Sequence, residues 1–430
     1  MAYVLVVLLL LPFLALALVG FRFLVRGTPV RGVRGLRRGG ELPTSGDPNF
    51  RAAIQLHSRI SLREGHNVEV MINGDETYPC LFDDLRAARE SITMQMYYCH
   101  PGKLADEFRR ILVERAQAGV RVLFLHDGFG SAPMHESYFE RLRAGGVRVA
   151  PFRPVRWYSL EQAYSRSHIR VAVIDGVVGY TGGFGIDDKW MGDGRHDGQW
   201  RDTNARFTGP AVLDHQATFA AGWAEATGEL LAGPLFFPIE KHADTHGPQL
   251  AAVMHSAPAL VSSIAERFLA ISIAAAQETL YVTNSYFVPD DDFCRMLGEA
   301  AERGVDVRVL TAGERNDVKS TWYAGRAKYE GLLSAGVRIY EYLPTMIHAK
   351  TLVVDGVWGS VGTMNFDNRS LAFNDETNLV CLDEAFGARL NEIFLQDLEY
   401  SRELTLEEFR RRPLAGKVAE RAMDLVSRIL

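Results

Sequence analysis

The sequence contains few cysteines for its length. Its 430 residues include only Cys80, Cys99, Cys294 and Cys381, and no two of them have CxxC spacing. Disulfide frameworks and zinc sites both depend on cysteines at short, regular spacings. The sequence therefore indicates neither, and we expect four reduced, buried thiols in the cytosol.

Acidic residues are absent from the start of the chain. Residues 1–40 contain six arginines and no acid, whereas the whole chain has a formal net charge of -6. Removing those six positive charges from -6 leaves -12 for residues 41–430. An acidic body is a poor non-specific ligand for nucleic acid, so the charge distribution argues against a nucleic-acid partner and favours a local basic anchor at anionic lipid.

Residues 2–25 form a long apolar run in which Arg22 is the only charged residue. About 20 apolar residues suffice for a helix to cross a bilayer. Basic residues follow the run, whereas a cleaved signal peptide would have them before it and a small-residue cleavage site after it. We therefore expect a transmembrane anchor over residues 1–26 and a basic linker over 27–48. The positive-inside rule places a single-pass protein in the inner (cytoplasmic) membrane, with its body in the cytoplasm.

The rest of the chain alternates between strand-like and helix-like segments, and this order occurs twice. The junction "AGVRVLFL" at 118–125 corresponds to "RGVDVRVL" at 303–310. An internal duplication of an α/β unit explains both observations. We predict one half over residues 49–228, a linker rich in Gly and Pro over 229–258, and a second half over 259–400.

A helical segment is predicted for residues 401–430. Its last part is amphipathic, with Val418, Ala422, Leu425 and Ile429 on one side. Such a helix can lie on a membrane, but packing against the body of the protein is the commoner outcome and is the one expected here.

The strongest repeat is "SHIRVAVIDGVVGYTGG" at 167–183 and "IHAKTLVVDGVWGSVGT" at 347–363. In the second copy, His348 and Lys350 are two positions apart, so on a strand they project from one face. The Asp355-Gly356 pair that follows is a strong hairpin signal. A returning strand would bring Thr363 and Asn365 back toward the histidine, which gathers phosphate-binding groups around a possible nucleophile.

The first copy departs from the second at two positions. It carries His168 and Asp175 in the same register, but Arg170 stands where the second copy has lysine. Gly183 and Gly185 occupy the positions of the threonine and the asparagine. An arginine keeps the positive charge with a different geometry, and the missing asparagine removes one phosphate donor.

These motifs resemble those of the phospholipase D superfamily, in which HxKxxxxDG is followed by GG, GT or GS and by an asparagine. Residues 348–365 match fully, and residues 168–183 match apart from the two departures. The flanks "NSYFVPD" at 284–290, "WRDTNARFTGPAV" at 200–212 and "GTMNFDNRS" at 362–370 look like those of bacterial cardiolipin synthases. The resemblance implies two α/β/α halves whose motifs meet at one active site.

The resemblance also implies a mechanism without metal or other cofactor. One histidine attacks the phosphorus to form a phosphohistidine, and the other acts as acid and then base. By family analogy His168 is the nucleophile and His348 the acid/base, although the intact second motif leaves the reverse assignment open. Arg170, Lys350, Asn365 and Thr363 would then bind the phosphate.

Carboxylates complete the implied site. The family places one acid downstream of each motif to orient a histidine, which matches Asp202 and Glu376. The motif also includes Asp175 and Asp355 among its catalytic positions, but as residues they fit turns better than catalysis.

The implied activity is cardiolipin synthase-like transfer of a phosphatidyl group, condensing membrane phospholipids, such as two phosphatidylglycerol molecules, with release of glycerol. Two other functions remain open at this point. A phospholipase D-type hydrolase would give phosphatidic acid, and a pseudoenzyme weakened by Arg170 and Gly185 would only bind lipid. The sequence does not determine the acceptor, the donor headgroup or the oligomeric state.

Overall fold

The computed structural model describes residues 29–34, 43–154, 165–243, 245–259, 262–425 and 427. The predicted anchor over residues 1–26 and much of the predicted linker lie outside these residues. Within the described ranges, no helix combines the length and the apolar character that a bilayer crossing requires.

The helices alternate with the strands along the chain. Their bounds are α1 Pro48–Ser58, α2 Asn73–Ala87, α3 Lys103–Gln117, α4 Glu136–Ala144, α5 Ala211–Thr227, α6 Ile264–Ala275, α7 Asp291–Glu302, α8 Lys319–Ser334, α9 Asn368–Ala372, α10 Glu384–Leu398, α11 Leu406–Arg411 and α12 Leu414–Asp424. Local sequence sets several helix starts. Ser263 and Glu266 form a capping box at α6, and Asp290 caps α7 by accepting the N–H of Phe293.

The strands are as follows: β1 Arg63–Gly65, β2 Asn67–Ile72, β3 Ser91–Met96, β4 Arg121–Asp127, β5 Arg148–Phe152, β6 Arg170–Ile174, β7 Val178–Gly182, β8 Trp200–Arg201, β9 Thr203–Thr208, β10 Gly247–Ser256, β11 Thr279–Asn284, β12 Asp306–Ala312, β13 Arg338–Tyr342, β14 Met346–Ile347, β15 Lys350–Val354, β16 Trp358–Gly362, β17 Glu376–Leu382 and β18 Ser401–Leu404.

Two mixed sheets organise the described residues. The first has the order β2-β9-β7-β6-β3-β4-β5, and the second has the order β1-β10-β17-β16-β15-β11-β12-β13-β18. Three consecutive strands are parallel in each sheet, β3-β4-β5 and β11-β12-β13. All six residues of β3 are buried, as expected for a central parallel strand covered on both faces. The mixed α/β fold and its duplication agree with the sequence prediction.

The two sheets share one apolar core. Phe207 of β9 and Val253 of β10 belong to the same buried cluster as Val361 of β16 and Leu379 of β17. Helices α5 and α10 pack in this central layer, since α5 contacts strands of both sheets and α10 contacts β2 as well as β15 and β16. Separate cores with α2 to α4 and with α6 to α8 cover the outer faces. The halves therefore form one continuous body with helices between and outside the sheets.

The boundaries of the halves differ from the predicted ones. Helix α1 packs on α6, and β1 pairs with β10, so residues 48–65 belong to the second sheet although they precede the first. Strand β10 lies inside the predicted linker 229–258, and β18 begins the predicted helical segment by pairing with β13. Amphipathic patterning shows that a segment packs against something, but it does not show which sheet receives it.

Candidate active site

Both motif hairpins place their histidines at the carboxyl edge of the parallel strands. Met96, the last residue of β3, pairs with Arg170 at the start of β6. In the second sheet, Asn284 at the end of β11 pairs with Lys350 at the start of β15. Side chains of open α/β sheets form ligand sites at this edge. The duplicated topology therefore presents equivalent groups from each half at equivalent positions.

The two motif aspartates occupy the opposite ends of the hairpins. Asp175 accepts the backbone N–H groups of residues 89–91, and Asp355 accepts those of residues 277–279. Five-residue strands separate them from the histidines, which is a distance of about 20 Å. Both have positive φ, 51° and 50°, as turn residues. Their inclusion among the catalytic positions is therefore corrected: they connect each hairpin to the preceding strand.

Each histidine contacts the carboxylate of the other half. His168 Nδ1 lies 3.0 and 3.1 Å from the two oxygens of Glu376. His348 Nδ1 lies 2.9 Å from Oδ2 of Asp202. In each pair the contact through Nδ1 leaves Nε2 as the reactive nitrogen. The structure thus brings together all four residues, but in a crossed arrangement.

Main-chain pairing between the halves produces this crossing. The N–H of His168 donates to the carbonyl of Asp375 at 2.9 Å, and the N–H of Asp375 donates to the carbonyl of Arg166. In the equivalent place, the N–H of His348 donates to the carbonyl of Arg201 at 2.6 Å, next to the parallel pair β8 and β14. Each histidine is therefore fixed to the residue immediately before the carboxylate that it contacts.

A buried ion pair and a partly buried one hold these exchanged segments in place. The guanidinium of Arg201 donates to both oxygens of Asp397 at 2.9 and 2.7 Å. Arg153 donates to Asp375 at 2.7 Å. Removing one partner of a buried ion pair costs about 3–5 kcal/mol because the other charge stays buried. Sequence reasoning missed both pairs, since nothing in the local pattern identifies partners so far apart.

Arg170 replaces the motif lysine without loss of the main contact. Its Nη1 donates to the carbonyl of His168 at 2.8 Å, and its Nε donates to the carbonyl of Phe184. Lys350 likewise donates from Nζ to the carbonyl of His348, and it also donates to Ser285 Oγ at 2.8 Å. Both cations are 1% exposed. Each therefore supports the backbone of its own histidine and supplies positive charge beneath the site.

Trp190 fills the space left by the missing asparagine. A Cβ atom on Gly185 would lie 2.6 Å from the indole ring, so no larger residue fits there while the tryptophan is present. The indole Nε1 donates to Asp202 Oδ2 at 2.8 Å. Its ring also meets the imidazole of His348 edge to face, with centroids 5.4 Å apart. At Gly185 the protein thus lacks an amide that could donate a hydrogen bond to phosphate. In its place the Trp190 indole holds Asp202, the carboxylate that contacts His348.

Thr363 and Asn365 have different places in the site. The Thr363 hydroxyl donates to Glu376 at 2.5 Å and accepts the N–H of Thr377, so its polar atoms are directed at protein groups. Its predicted contact with phosphate is therefore corrected to an orienting contact with Glu376. Asn365 lines the cavity, and its buried Oδ1 has no hydrogen-bond partner among the described residues. It is the better placed of the two for a substrate.

One cavity of about 300 Å³ joins the two motifs. His168, Arg170, His348 and Asn365 line it, and Lys350 lies below it. Aromatic side chains contribute much of its apolar wall, and charged side chains also line it; these are Tyr97, Tyr98, Phe129, Trp200 and Tyr286, and Asp317, Asp367 and Arg369. Apolar walls around a few polar groups suit a ligand with a charged centre and apolar parts.

Burial dominates the electrostatics of the histidines. It lowers the pKa of His348 to about 3, and it lowers the pKa of His168 well below its usual value. At His348 the charge of Lys350 lowers the pKa further and Asp202 opposes the lowering, whereas at His168 the charges that act next are the cations Arg170 and Lys350. Both imidazoles are therefore neutral near pH 7 in the unliganded protein.

The pKa values of the two carboxyl groups are shifted in opposite directions. Burial alone would raise the pKa of Asp202, but His348, Lys350 and the Trp190 N–H bring it below the usual value. Burial raises the pKa of Glu376 well above its usual range despite the Thr363 hydrogen bond. The carboxylate behind His348 is thus the more firmly ionised of the two.

Burial also lowers the pKa of the cation Lys350, to about 7, so a bound anion would increase its protonation. Within the part of the chain that the structure describes, no cluster of His, Cys, Asp and Glu side chains is arranged to hold a metal ion. The groups that converge on the cavity are possible nucleophiles, acids and hydrogen-bond donors to a phosphate.

Comparison with known proteins identifies the family of this chain. The family model described as the cardiolipin synthase phospholipase D-like domain matches residues 269–398. A cardiolipin synthase of Geobacillus kaustophilus is 36% identical over 389 residues, which is 89% of this chain and 77% of that protein. The chain belongs to the cardiolipin synthase family. It is accordingly an enzyme of the phospholipase D superfamily.

Other members of the family and a solved structure agree. Cardiolipin synthase 2 of Bacillus anthracis is 35% identical over 89% of this chain and 74% of its own length. The crystal structure of a phosphatidylserine synthase from Haemophilus influenzae has a TM-score of 0.66 and 14% identity, and the match covers 89% of this chain and all of that one. At this identity the similarity establishes the fold alone.

Proposed function

We propose that this chain is a cardiolipin synthase that condenses two phosphatidylglycerol molecules and releases glycerol. The observation that carries the proposal is the crossed pair of imidazoles, each supported by a carboxylate of the other half and both lining one cavity. Two such groups on one cavity provide a nucleophile and a separate acid/base, as a double displacement at phosphorus requires. The similarity to cardiolipin synthases along 89% of the chain supports the choice of lipid substrate.

In the first half-reaction, neutral His168 attacks the phosphorus of the donor lipid through Nε2. A nitrogen–phosphorus bond forms and the bond from phosphorus to the glycerol oxygen breaks. His348, supported by ionised Asp202, takes up a proton from solvent when the anionic phosphodiester binds; it donates this proton from Nε2 to the leaving oxygen and becomes neutral. We assign the nucleophile to His168 because burial and the cations Arg170 and Lys350 keep it neutral, and the acid to His348 because Asp202 favours its protonated form against burial and Lys350.

In the second half-reaction, a glycerol hydroxyl of the acceptor lipid attacks the phosphohistidine. His348 removes the proton from that hydroxyl while an oxygen–phosphorus bond forms and the bond to His168 breaks. Arg170 and Lys350 provide positive charge beneath the phosphoryl oxygens, and Asn365 offers its amide. The cycle ends with His168 neutral and His348 again protonated, as they were in the complex with the donor lipid.

The lipid substrates lie in a membrane, so the proposal includes a membrane location. The apolar run 2–25 followed by arginines supports a single-pass anchor with the catalytic body in the cytoplasm. This location would hold the cavity near the inner leaflet. A reporter fused after Leu430 should be active only in the cytoplasm, and digestion of the body by protease added outside intact cells would contradict the topology.

Lipid analysis of the purified full-length protein tests the function. Incubation with phosphatidylglycerol vesicles in the presence of a metal chelator should yield cardiolipin and free glycerol in equal amounts. His168→Ala and His348→Ala proteins serve as matched controls, and their thermal unfolding shows whether they retain the fold. Phosphatidic acid as the sole product would instead assign the chain to the hydrolases, and unchanged lipid would remove the proposed catalysis.

A further inference from the structure

Helix α12 packs on the protein through its charged side. Glu420 is only 2% exposed and accepts hydrogen bonds from Arg326 and Arg412. One turn further on, Asp424 forms an ion pair of 2.8 Å with Lys328. These contacts attach α12 to α8, against which it lies. The sequence prediction that this segment packs on the body is therefore met, but by its polar face.

The apolar side of α12 faces outward. Leu414 is 79% exposed, Val418 is 66% exposed and Leu425, at the end of the helix, is 86% exposed. Positions separated by four and seven residues lie on one face of a helix. Ala415 and Ala422 are exposed on the same side, and Arg421 is exposed among them. An amphipathic helix on a water-soluble surface normally has the opposite orientation, with its apolar face buried.

The carboxyl end of α12 is linked through α7 to the point where the described chain begins. Lys328, which holds Asp424 of α12, also holds Asp291 at the start of α7. One turn along α7, Arg295 donates a hydrogen bond to the carbonyl of Arg31. Five residues, 26–30, separate Arg31 from Val25, the end of the apolar run, and the six steps of chain reach at most about 20 Å.

We propose that α12 is a membrane-surface helix whose apolar stripe of Leu414, Val418 and Leu425 inserts into the interface of an anionic phospholipid bilayer. A bilayer is the expected partner because of where the helix lies. A bilayer crossed by residues 2–25 would be within reach of the side of α7 to which both Arg31 and Lys328 are bound, and Lys328 also binds α12. Arg421 suits anionic headgroups at the edge of the stripe. This proposal concerns contact with the membrane and not catalysis. It rests on the proposed function only for the predicted anchor over residues 1–26.

Quenching by brominated lipid tests the insertion directly. A full-length protein with Cys80→Ala, Cys294→Ala and Val418→Cys is labelled with an environment-sensitive dye and placed in bilayers of phosphatidylcholine and phosphatidylglycerol with bromine on the acyl chains. The matched control carries Leu230→Cys, since Leu230 is 87% exposed in the connection after α5. We expect quenching of the dye at 418 and none at 230.

Two results of this experiment would overturn the proposal. Equal fluorescence with brominated and ordinary lipid at position 418 would show that the stripe does not enter the bilayer. Cross-linking between two copies through position 418, without quenching, would assign the stripe to a dimer contact instead. Because quenching does not depend on turnover, it remains decisive even if the proposed lipid synthesis fails.

A kinetic comparison gives a second measurement. A triple variant, Leu414→Ser with Val418→Ser and Leu425→Ser, changes only exposed side chains and should fold. We expect its rate on phosphatidylglycerol vesicles to fall at least about fivefold, with an unchanged rate on a short-chain, monomeric phosphatidylglycerol. Leu230→Ser should alter neither rate. Equal losses on both substrates would indicate a defect in the site and contradict a role at the membrane.

Discussion

Glu376 contacts the imidazole of His168 at 3.0 Å although 208 positions separate the two residues. The reciprocal contact of Asp202 with His348 spans 146 positions in the other direction. Each half of the duplication therefore supplies one histidine and the carboxylate that orients the other half's histidine. A single half contains the correct residues but no complete dyad, which explains why both copies are retained in one chain.

The crossed dyads predict separable effects of the two carboxylates. Glu376→Gln and Asp202→Asn should each lower kcat on the order of 100- to 10,000-fold, because the amide no longer favours the required tautomer and charge of the imidazole. With a phosphodiester whose nitrophenol leaving group needs no proton, Asp202→Asn should recover much of the rate of formation of the covalent intermediate, whereas Glu376→Gln should not. Single-turnover release of nitrophenol measures this difference. Equal recovery by both variants would contradict the assigned roles.

Restoring the family asparagine should damage this protein. Gly185→Asn forces a side chain into the indole of Trp190, so we expect a loss of about 1–3 kcal/mol of stability from overpacking and reduced activity. Adding Trp190→Ser, which copies the residue at the equivalent position of the second half, should relieve the clash. Thermal unfolding of both single variants and the double variant forms a cycle. Additive losses would mean that the two sites are not coupled.

The hydrogen bond from Trp190 is tested separately by Trp190→Phe. This variant keeps an aromatic ring over Gly185 but removes the N–H that donates to Asp202. A charge-assisted hydrogen bond contributes about 1.5–3 kcal/mol, so the free energy of unfolding should fall by about that amount and kcat/KM should fall about 10- to 100-fold. Trp190→Ala is the structural comparison and should lower the melting temperature further, because it also removes the ring. Unchanged kinetics in Trp190→Phe would show that the indole N–H does not contribute to catalysis.

The lowered pKa of Lys350 predicts the alkaline limit of activity. Its ammonium has a pKa of about 7 in the free enzyme, so deprotonation above that pH removes positive charge beneath the phosphate. Because kcat/KM reports the free enzyme, it should fall above about pH 7. In Lys350→Arg the cation persists, and the fall should move to higher pH even if the maximum is lower. Lys189→Arg, at a nearby lysine whose pKa burial lowers to about 8, should leave the limit near pH 7 in place.

Local patterns predicted the parts of the site more completely than their arrangement. The period of two in "HAKTLVVDG" and the Asp-Gly turn predicted the hairpins. The shared site and the acids Asp202 and Glu376 were implied by the resemblance to the phospholipase D superfamily. Their crossing depends on pairing between β8 and β14 and between residues 167 and 375, which are contacts between distant segments that no local pattern encodes.

The other differences between the predicted and the observed structure also arise from tertiary contacts. Thr363 was predicted to bind phosphate because a hydroxyl is a suitable donor, but the buried acid beside it accepts that hydrogen bond instead. Trp190 was overlooked because its role depends on the absence of a side chain at Gly185, five positions earlier. Helix α12 was expected to bury its apolar face, and the ion pairs of Glu420 and Asp424 reverse that orientation.

Covalent trapping tests the two-histidine mechanism most directly. His348→Ala protein is mixed with a phosphatidyl ester of nitrophenol, which can form the phosphohistidine without a general acid but leaves no base to resolve it. Mass spectrometry of the digested protein should find the phosphatidyl group on His168, and His168→Ala protein should carry none. A phosphatidyl group on His348 in the His168→Ala protein, or normal turnover by both variants, would contradict the account.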